Sequence, residues 1–324
     1  MQGRISLDLD TDLRSYSIVR SDLWQKTEGR RSSTARAERR MTMQFTNERE
    51  FTYTRTYRGP IRGVILDWAG TTMDFGCMAP AVVFRKVFEK AGVPISLEEA
   101  RIPMGAHKKV HIGLICEIPG VRRRWAETHN VEPTEADVNR MFDEFVPMQE
   151  ACLSEYSELI PGTLEAISEC RKRGYKIGST SGYLPGMLAI NQADAEKQGY
   201  VPDATFGAGD VPRGRPFPHM VLRNMIELDL SPVQSVVKVD DTLTGIEEGL
   251  NAGCWAIGLA ISGNEVGVQL DEWNAFSEEV KQKHRDRIYP TMYQRGAHYV
   301  VDSIAELVPC LDDIDARMRR GEKP

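Results

Sequence analysis

The chain has 324 residues, 41% hydrophobic and 27% charged, with a formal net charge of −6, which is room for about two domains and a sizeable core. That acidic balance argues against a nucleic-acid or anionic-membrane binder, and no apolar run approaches the roughly 18–20 residues that span a bilayer. The six cysteines (Cys77, Cys116, Cys152, Cys170, Cys254 and Cys310) form no Cys-x-x-Cys pair, and they read as reduced thiols of a cytoplasmic protein rather than as disulfides or a zinc site.

Residues 1–60 read as a largely mobile extension. Apolar periodicity is lost there, and Lys26, Arg30, Arg31, Arg36, Arg39 and Arg40 face only Glu28 and Glu38 between positions 26 and 40. An Arg- and Ser-rich start suits an organelle transit peptide, but Asp8, Asp10 and Asp12 count against one. Alternation from Phe51 to Tyr57 suggests a short edge strand or a docked arm. Then Val64, Ile65 and Leu66 run into Asp67, and Gly70 turns the chain. This reads as a buried parallel strand that delivers Asp67 to its carboxyl tip, where open α/β sheets place their ligands. A carboxylate there is suited to holding a metal ion or to carrying a transferred phosphoryl group.

From about 77 to 157 the pattern is helical throughout. Ala79-Pro80 opens a helix with Val83, Phe84, Val87, Phe88 and Ala91 on one face, and Ser96 to Glu99 is a capping box. A further helix is expected from about Ala106 to Cys116, and a long one starts at Thr134 and continues towards Tyr156. An all-helical stretch between two βα segments is an inserted helical domain. The α/β pattern then resumes. Strands are expected at Tyr175–Thr180, Ala204–Phe206, Ser235–Val239, Cys254–Leu259 and Tyr299–Val301, with helices between them, a charged one over Leu270–Arg287, and a capping box from Ser303 to Glu306. Such alternation implies a doubly wound, mostly parallel, Rossmann-like sheet covered on both faces. The expected division is extension 1–60, α/β core 61–76 and 158–315, helical cap domain 77–157, and tail 316–324.

The expected sheet tips carry chemistry of one kind: Asp67, Ser181 with Gly182, Arg215, and Asp240-Asp241. A carboxylate nucleophile, a hydroxyl with backbone N–H groups, a guanidinium and further acids suit phosphoryl transfer assisted by Mg²⁺. In this order, with a helical insert, they resemble the haloacid dehalogenase superfamily over about residues 61–315. One departure stands out. Ordinary phosphatases of that group carry a second aspartate two residues after the nucleophile, to protonate the leaving oxygen, and Ala69 occupies that position here.

The cap offers another device. Met104, Lys108 and His111 are spaced i, i+4, i+7, which is one helical face. A partly desolvated Lys108 would be nucleophilic and would form an imine with an aldehyde, an electron sink for a carbon leaving group. Lys109 and His107 lie off that face. With Asp67 to Thr72, Cys77 to Pro80, Gly178 to Tyr183, Gly214 to Pro216 and Lys238 to Thr242, this pattern resembles the phosphonoacetaldehyde hydrolase family of the superfamily. The resemblance implies hydrolysis of a P–C bond in a small phosphonate substrate, by a Schiff base on Lys108 and an aspartyl phosphate on Asp67. It implies phosphate binding by Ser181, Gly182 and Arg215, and Mg²⁺ held by Asp67, the Ala69 carbonyl and Asp241. Gly245 stands where certain members carry another acid, for which Asp240 is the candidate substitute. His111 is expected as a proton shuttle, with Cys77, Met104 and Tyr183 beside the lysine. A homodimer through the cap is implied, with Val83, Phe84 and Phe88 as its apolar surface. The competing readings are a Mg²⁺-dependent phosphatase or phosphomutase acting on a small phosphate ester, and a catalytically retired binding protein.

Overall fold

The computed structural model describes residues 56–324. The basic segment and most of the Phe51–Tyr57 stretch lie outside the described residues. Tyr57 itself is in an irregular stretch, not a strand, and its hydroxyl donates to the Pro60 carbonyl at 2.7 Å.

Six strands, β1 (Gly63–Leu66), β2 (Lys176–Ser181), β3 (Ala204–Gly207), β4 (Val236–Asp240), β5 (Trp255–Leu259) and β6 (Tyr299–Val301), form one sheet in the order β3-β2-β1-β4-β5-β6. All neighbouring pairs are parallel. The short β1 is buried along its whole length because it lies between β2 and β4. Its side chains alternate: Val64 and Leu66 join one apolar cluster with Ile177, Val239 and Leu311, whereas Ile65 joins another with Val221 and Met225. Burial on both faces is why β1 reads as a continuous apolar run. The chain winds outward one way through β2 and β3, then returns to place β4 beside β1. That reversal opens a crevice at the carboxyl ends of β1 and β4, where Asp67 and Asp240-Asp241 stand.

Between β1 and β2 come helices α1 (Met78–Lys90), α2 (Leu97–Arg101), α3 (Lys108–Glu117), α4 (Pro119–His129) and α5 (Glu135–Cys152). Reciprocal capping boxes at Ser96/Glu99 and Thr134/Asp137 start α2 and α5. Phe84 stacks on Phe145 at 4.4 Å between ring centroids, which fastens α1 to α5. Helix α4 went unanticipated, and its first residue is Pro119, a residue preset for a helix start. Val83, Phe84 and Phe88 are fully buried inside this insert, so they are not the dimer surface expected of them; the insert needs them for its own core. Helix α3 starts at Lys108, with His107 as its cap, so Met104 lies in the preceding turn rather than on the helix.

Two other expectations need correcting. The charged helix is two, Leu270–Ala275 and Glu278–Gln294, because Ser277 caps a new start on the Val280 N–H. The box at Ser303 does not close: Ser303 accepts from Ala305, while Glu306 accepts from the Asp302 N–H. The final helix, Leu307–Arg319, runs into the expected tail, with Met318 buried in the main core. The two chain crossings into the insert are paired: the Asp74 N–H donates to the Glu158 carbonyl at 3.1 Å and that of Ile160 to Thr72 at 2.9 Å. Among the described residues no helix is long and apolar enough to cross a membrane, and all six cysteines are unpaired.

Candidate active site

Asp67 follows the last residue of β1 and is buried. Gly70 turns the chain away from it at φ +82°, and a side chain there would overlap the Asp241 carboxylate. Only glycine meets both demands. Arg215, from the loop after β3, brings Nη2 to 2.7 Å from Asp67 Oδ1 and 3.1 Å from Asp240 Oδ2, and its Nε to 3.1 Å from Glu248 Oε2. Lys238, in the middle of β4, lies 2.6 Å from Asp240 Oδ2. Burial alone would push the Asp240 carboxyl up, but Arg215 and Lys238 outweigh it and hold it below the ordinary carboxylate range.

Asp241 behaves in the opposite sense. It accepts hydrogen bonds from the Thr71 hydroxyl at 3.2 Å and the Asn264 N–H at 2.8 Å. Burial first, and then the charges of Asp67 and Asp240, push it well above the usual range. One carboxylate oxygen each from Asp67, Asp240 and Asp241 lies within 4.8 Å of the others. An oxygen-only donor set in which one member is raised by its neighbours' negative charge fits a hard divalent cation. Asp240 is the least available of the three, since it already takes Lys238, Arg215 and both the N–H and hydroxyl of Thr242. Asp67 and Asp241 are the less encumbered two, and Ala69 follows Asp67 by two residues.

The helical insert forms the other wall. The cavity is lined by Asp67, Ser181, Gly182 and Arg215 from the sheet side and by Cys77, Met104 and Lys108 from the insert. Its volume of about 20 Å³ is room for about one water. A larger depression, bordered by Tyr57, Arg62 and Gln234, lies at the amino ends of β1 and β4, away from these residues. Lys108 is 3% exposed, and its Nζ sits 4.7 Å from the Tyr183 ring centroid and 5.8 Å from that of Phe84. Burial lowers its pKa from 10.5 to about 8, against the opposing pull of Cys77 and Asp67. His111 stacks on Phe84 at 3.8 Å and is pushed down to about 3 by burial and by Lys108. Its Nε2 contacts the Ala100 carbonyl at 2.8 Å. A carbonyl only accepts, so Nε2 carries the proton and Nδ1, buried without a partner, is the free acceptor. A ring held neutral in this way offers Nδ1 as a hydrogen-bond acceptor. Burial and nearby Asp241 push the Cys77 thiol up well beyond its ordinary value, and burial and Asp74 do the same to the Tyr183 phenol. Ser181 Oγ accepts from the Tyr183 N–H at 3.1 Å, which fixes the turn that carries Gly182.

Sequence reasoning gave no role to Lys238, Glu248, Thr180 or Asp74. A lysine inside Val236-Val237-Lys238-Val239 was the available signal, because a buried strand admits a charge only against a partner. Asp74 accepts from the Met78 and Ala79 N–H groups at the start of α1 and is raised by burial to about 7.

The model of the haloacid dehalogenase-like hydrolases matches residues 61–253. The phosphonoacetaldehyde hydrolase of Hahella chejuensis is 43% identical over 85% of this chain and 93% of its own length. That of Paraburkholderia phytofirmans is 40% identical over 82% of this chain and 99% of its own. The crystal structure of a phosphonoacetaldehyde hydrolase-like protein from Oleispira antarctica superposes with a TM-score of 0.83 at 41% identity, over 84% of this chain and 99% of that one. With Asp67 and a buried amine lining one cavity, and these relatives matched from the first strand onward, the chain belongs to the haloacid dehalogenase-like hydrolases and, within them, to the phosphonoacetaldehyde hydrolase family.

Proposed function

We propose that the chain hydrolyses the P–C bond of phosphonoacetaldehyde to acetaldehyde and phosphate. The observation that carries this reading is a desolvated Lys108 sharing one cavity with Asp67, where Ala69 stands in place of a leaving-group acid. A phosphate ester has a bridging oxygen that needs a proton as it leaves; a phosphonate has none, so its carbon needs an electron sink. The Lys108 ammonium sheds one proton to water, its neutral Nζ adds to the aldehyde, and return of a proton to the departing hydroxyl releases water and leaves a protonated imine. His111, neutral, offers Nδ1 as a hydrogen-bond acceptor on the same side of the insert. Asp67 attacks phosphorus, and the electron pair of the P–C bond passes into the imine as an enamine. Arg215, with Ser181 and Gly182, holds the phosphoryl oxygens. Protonation at carbon and hydrolysis of the imine release acetaldehyde, and a further water cleaves the aspartyl phosphate. Cys77, Met104 and Tyr183 keep bulk water from the imine.

Asp67, Asp241 and the Ala69 carbonyl would hold Mg²⁺, whose charge offsets that of the phosphoryl group. Asp240 stands behind them as the substitute for an acid at 245. A side chain on Gly245 would overlap the Asp240 carboxylate, so the fold has room for an acid from one position or the other. The same reading takes the enzyme as a homodimer through its helical insert. Ile102, Val110 and Leu114, all exposed, supply the apolar face, and Val110→Glu with Leu114→Glu should convert dimer to monomer in light scattering. The decisive experiment gives the purified protein phosphonoacetaldehyde with and without Mg²⁺ and then traps with borohydride. A reduced adduct on Lys108 with Mg²⁺-dependent phosphate release is expected; turnover without any adduct would sink the reading.

A further inference from the structure

Two buried charges beneath the site, Lys238 and Glu248, take no part in the reaction just described. Lys238 has an evident duty, since its Nζ holds Asp240 at 2.6 Å. Glu248 is different. It is fully buried on the helix after β4 (Leu243–Ala252) and gathers its contacts at one oxygen: Oε2 lies 3.1 Å from Arg215 Nε, 3.3 Å from Thr180 Oγ1 and 3.8 Å from Lys238 Nζ. Oε1 is buried with no hydrogen-bond partner among the described residues. Of the two cations beside Oε2, Arg215 is the nearer, at 3.1 Å against 3.8 Å for Lys238, so the guanidinium is the group it grips.

The grip bears on aim. Arg215 Nη2, the nitrogen facing Asp67, also donates to the Thr180 carbonyl at 3.2 Å and the Thr180 hydroxyl at 2.9 Å. A guanidinium is planar, so a bond at Nε together with bonds at Nη2 fixes the orientation of the whole fork. We propose that Glu248 is a positioning residue for the phosphoryl-transfer half of the reaction: through Oε2 it sets the plane in which Arg215 presents Nη2 beside Asp67, with Thr180 as the second stop. It has no part in the imine half. This inference rests on the division of labour between Asp67 and Lys108 given under the proposed function.

That division supplies the test, because the two halves have separate readouts. Borohydride-trapped adduct at Lys108 and phosphate release are measured on the full chain with Mg²⁺ for E248A, E248D and E248Q. In E248A and E248D, whose shortened side chains no longer reach Nε, phosphate release should fall about 30- to 100-fold in kcat. KM and the trapped adduct should each stay within about threefold, since the imine half is untouched. E248Q keeps the acceptor and should recover to within about fivefold of the parent rate. Should E248A fail to fold, the E248D and E248Q pair still decides. Unchanged phosphate release in E248D would overturn the inference, and so would equal losses of adduct and release in both E248D and E248Q, which would mark Glu248 as support for the fold alone. No adduct in the parent protein would overturn the reading beneath it, and the inference with it.

Discussion

The two walls of the cavity bury charge in opposite ways. On the sheet side Asp67, Asp240 and Glu248 interleave with Arg215 and Lys238 at 2.6–3.1 Å. On the insert side Lys108 is buried just as deeply, yet its ammonium rests on the rings of Tyr183 and Phe84. Pairing keeps charges charged and fixes their positions; an amine surrounded by rings gives up its proton near neutral pH. On the proposed mechanism the carboxylate nucleophile needs the first treatment and the imine-forming lysine the second. Asp241, raised by burial and by its acidic neighbours, is the exception on the sheet side, and it stands where a cation fits.

The largest effects should separate the walls outright. Asp67→Asn should lower phosphate release by about 10⁴-fold or more while the Lys108 adduct still forms. Lys108→Arg should lose both the adduct and turnover. Were Asp67→Asn to abolish the adduct as well, the walls would not be independent.

Stability offers the next test. Asp240→Ala leaves Lys238 and part of Arg215 buried without their partner and should cost about 3–5 kcal/mol in urea unfolding. Lys108→Met removes a buried, ring-bound amine and should stabilise the fold by on the order of 1–3 kcal/mol. Equal destabilisation by both would erase the contrast.

A subtler signature is in the pH dependence. The attacking form of Lys108 is neutral, and with a pKa of about 8 its adduct should form about 50-fold faster at pH 8 than at pH 6. Stability follows the same shift. The unfolded chain binds this proton more tightly, with a pKa of 10.5 against about 8, so unfolding takes up a proton between those values and stability rises with pH across them. Lys108→Met should remove that slope. Smallest of all, Lys109→Arg should leave adduct and turnover within about twofold and stability within about 0.5 kcal/mol, because the Lys109 ammonium meets Glu135 at 4.0 Å in an exposed pair.

Much of this was legible in the residues themselves. A strand ending at Asp67, acids closing the Val236–Val239 run and a lysine on an apolar helix each declare themselves locally, through hydrophobic period and turn chemistry. What escaped was set by distance in the chain. Nothing near Glu248 announces that Arg215, in another loop, reaches its carboxylate, or that Lys238 sits inside a strand to hold its neighbour Asp240. Val83, Phe84 and Phe88 misled for a related reason: an apolar stripe is the same whether it faces α5 or a second chain, and only packing tells them apart. Helix α4 was missed because Val121 and Trp125 are its only buried residues, set among Arg122, Arg123 and Arg124.

A chamber with room for about one water has a further consequence for traffic. Phosphonoacetaldehyde is larger than that, so its entry should part the helical layer from the sheet, with the paired crossings at Thr72–Asp74 and Glu158–Ile160 as the expected pivot. Solvent friction should therefore govern the cycle: added sucrose or glycerol ought to slow turnover in proportion to viscosity, while leaving the bond-breaking step, timed in a single turnover after mixing, nearly untouched.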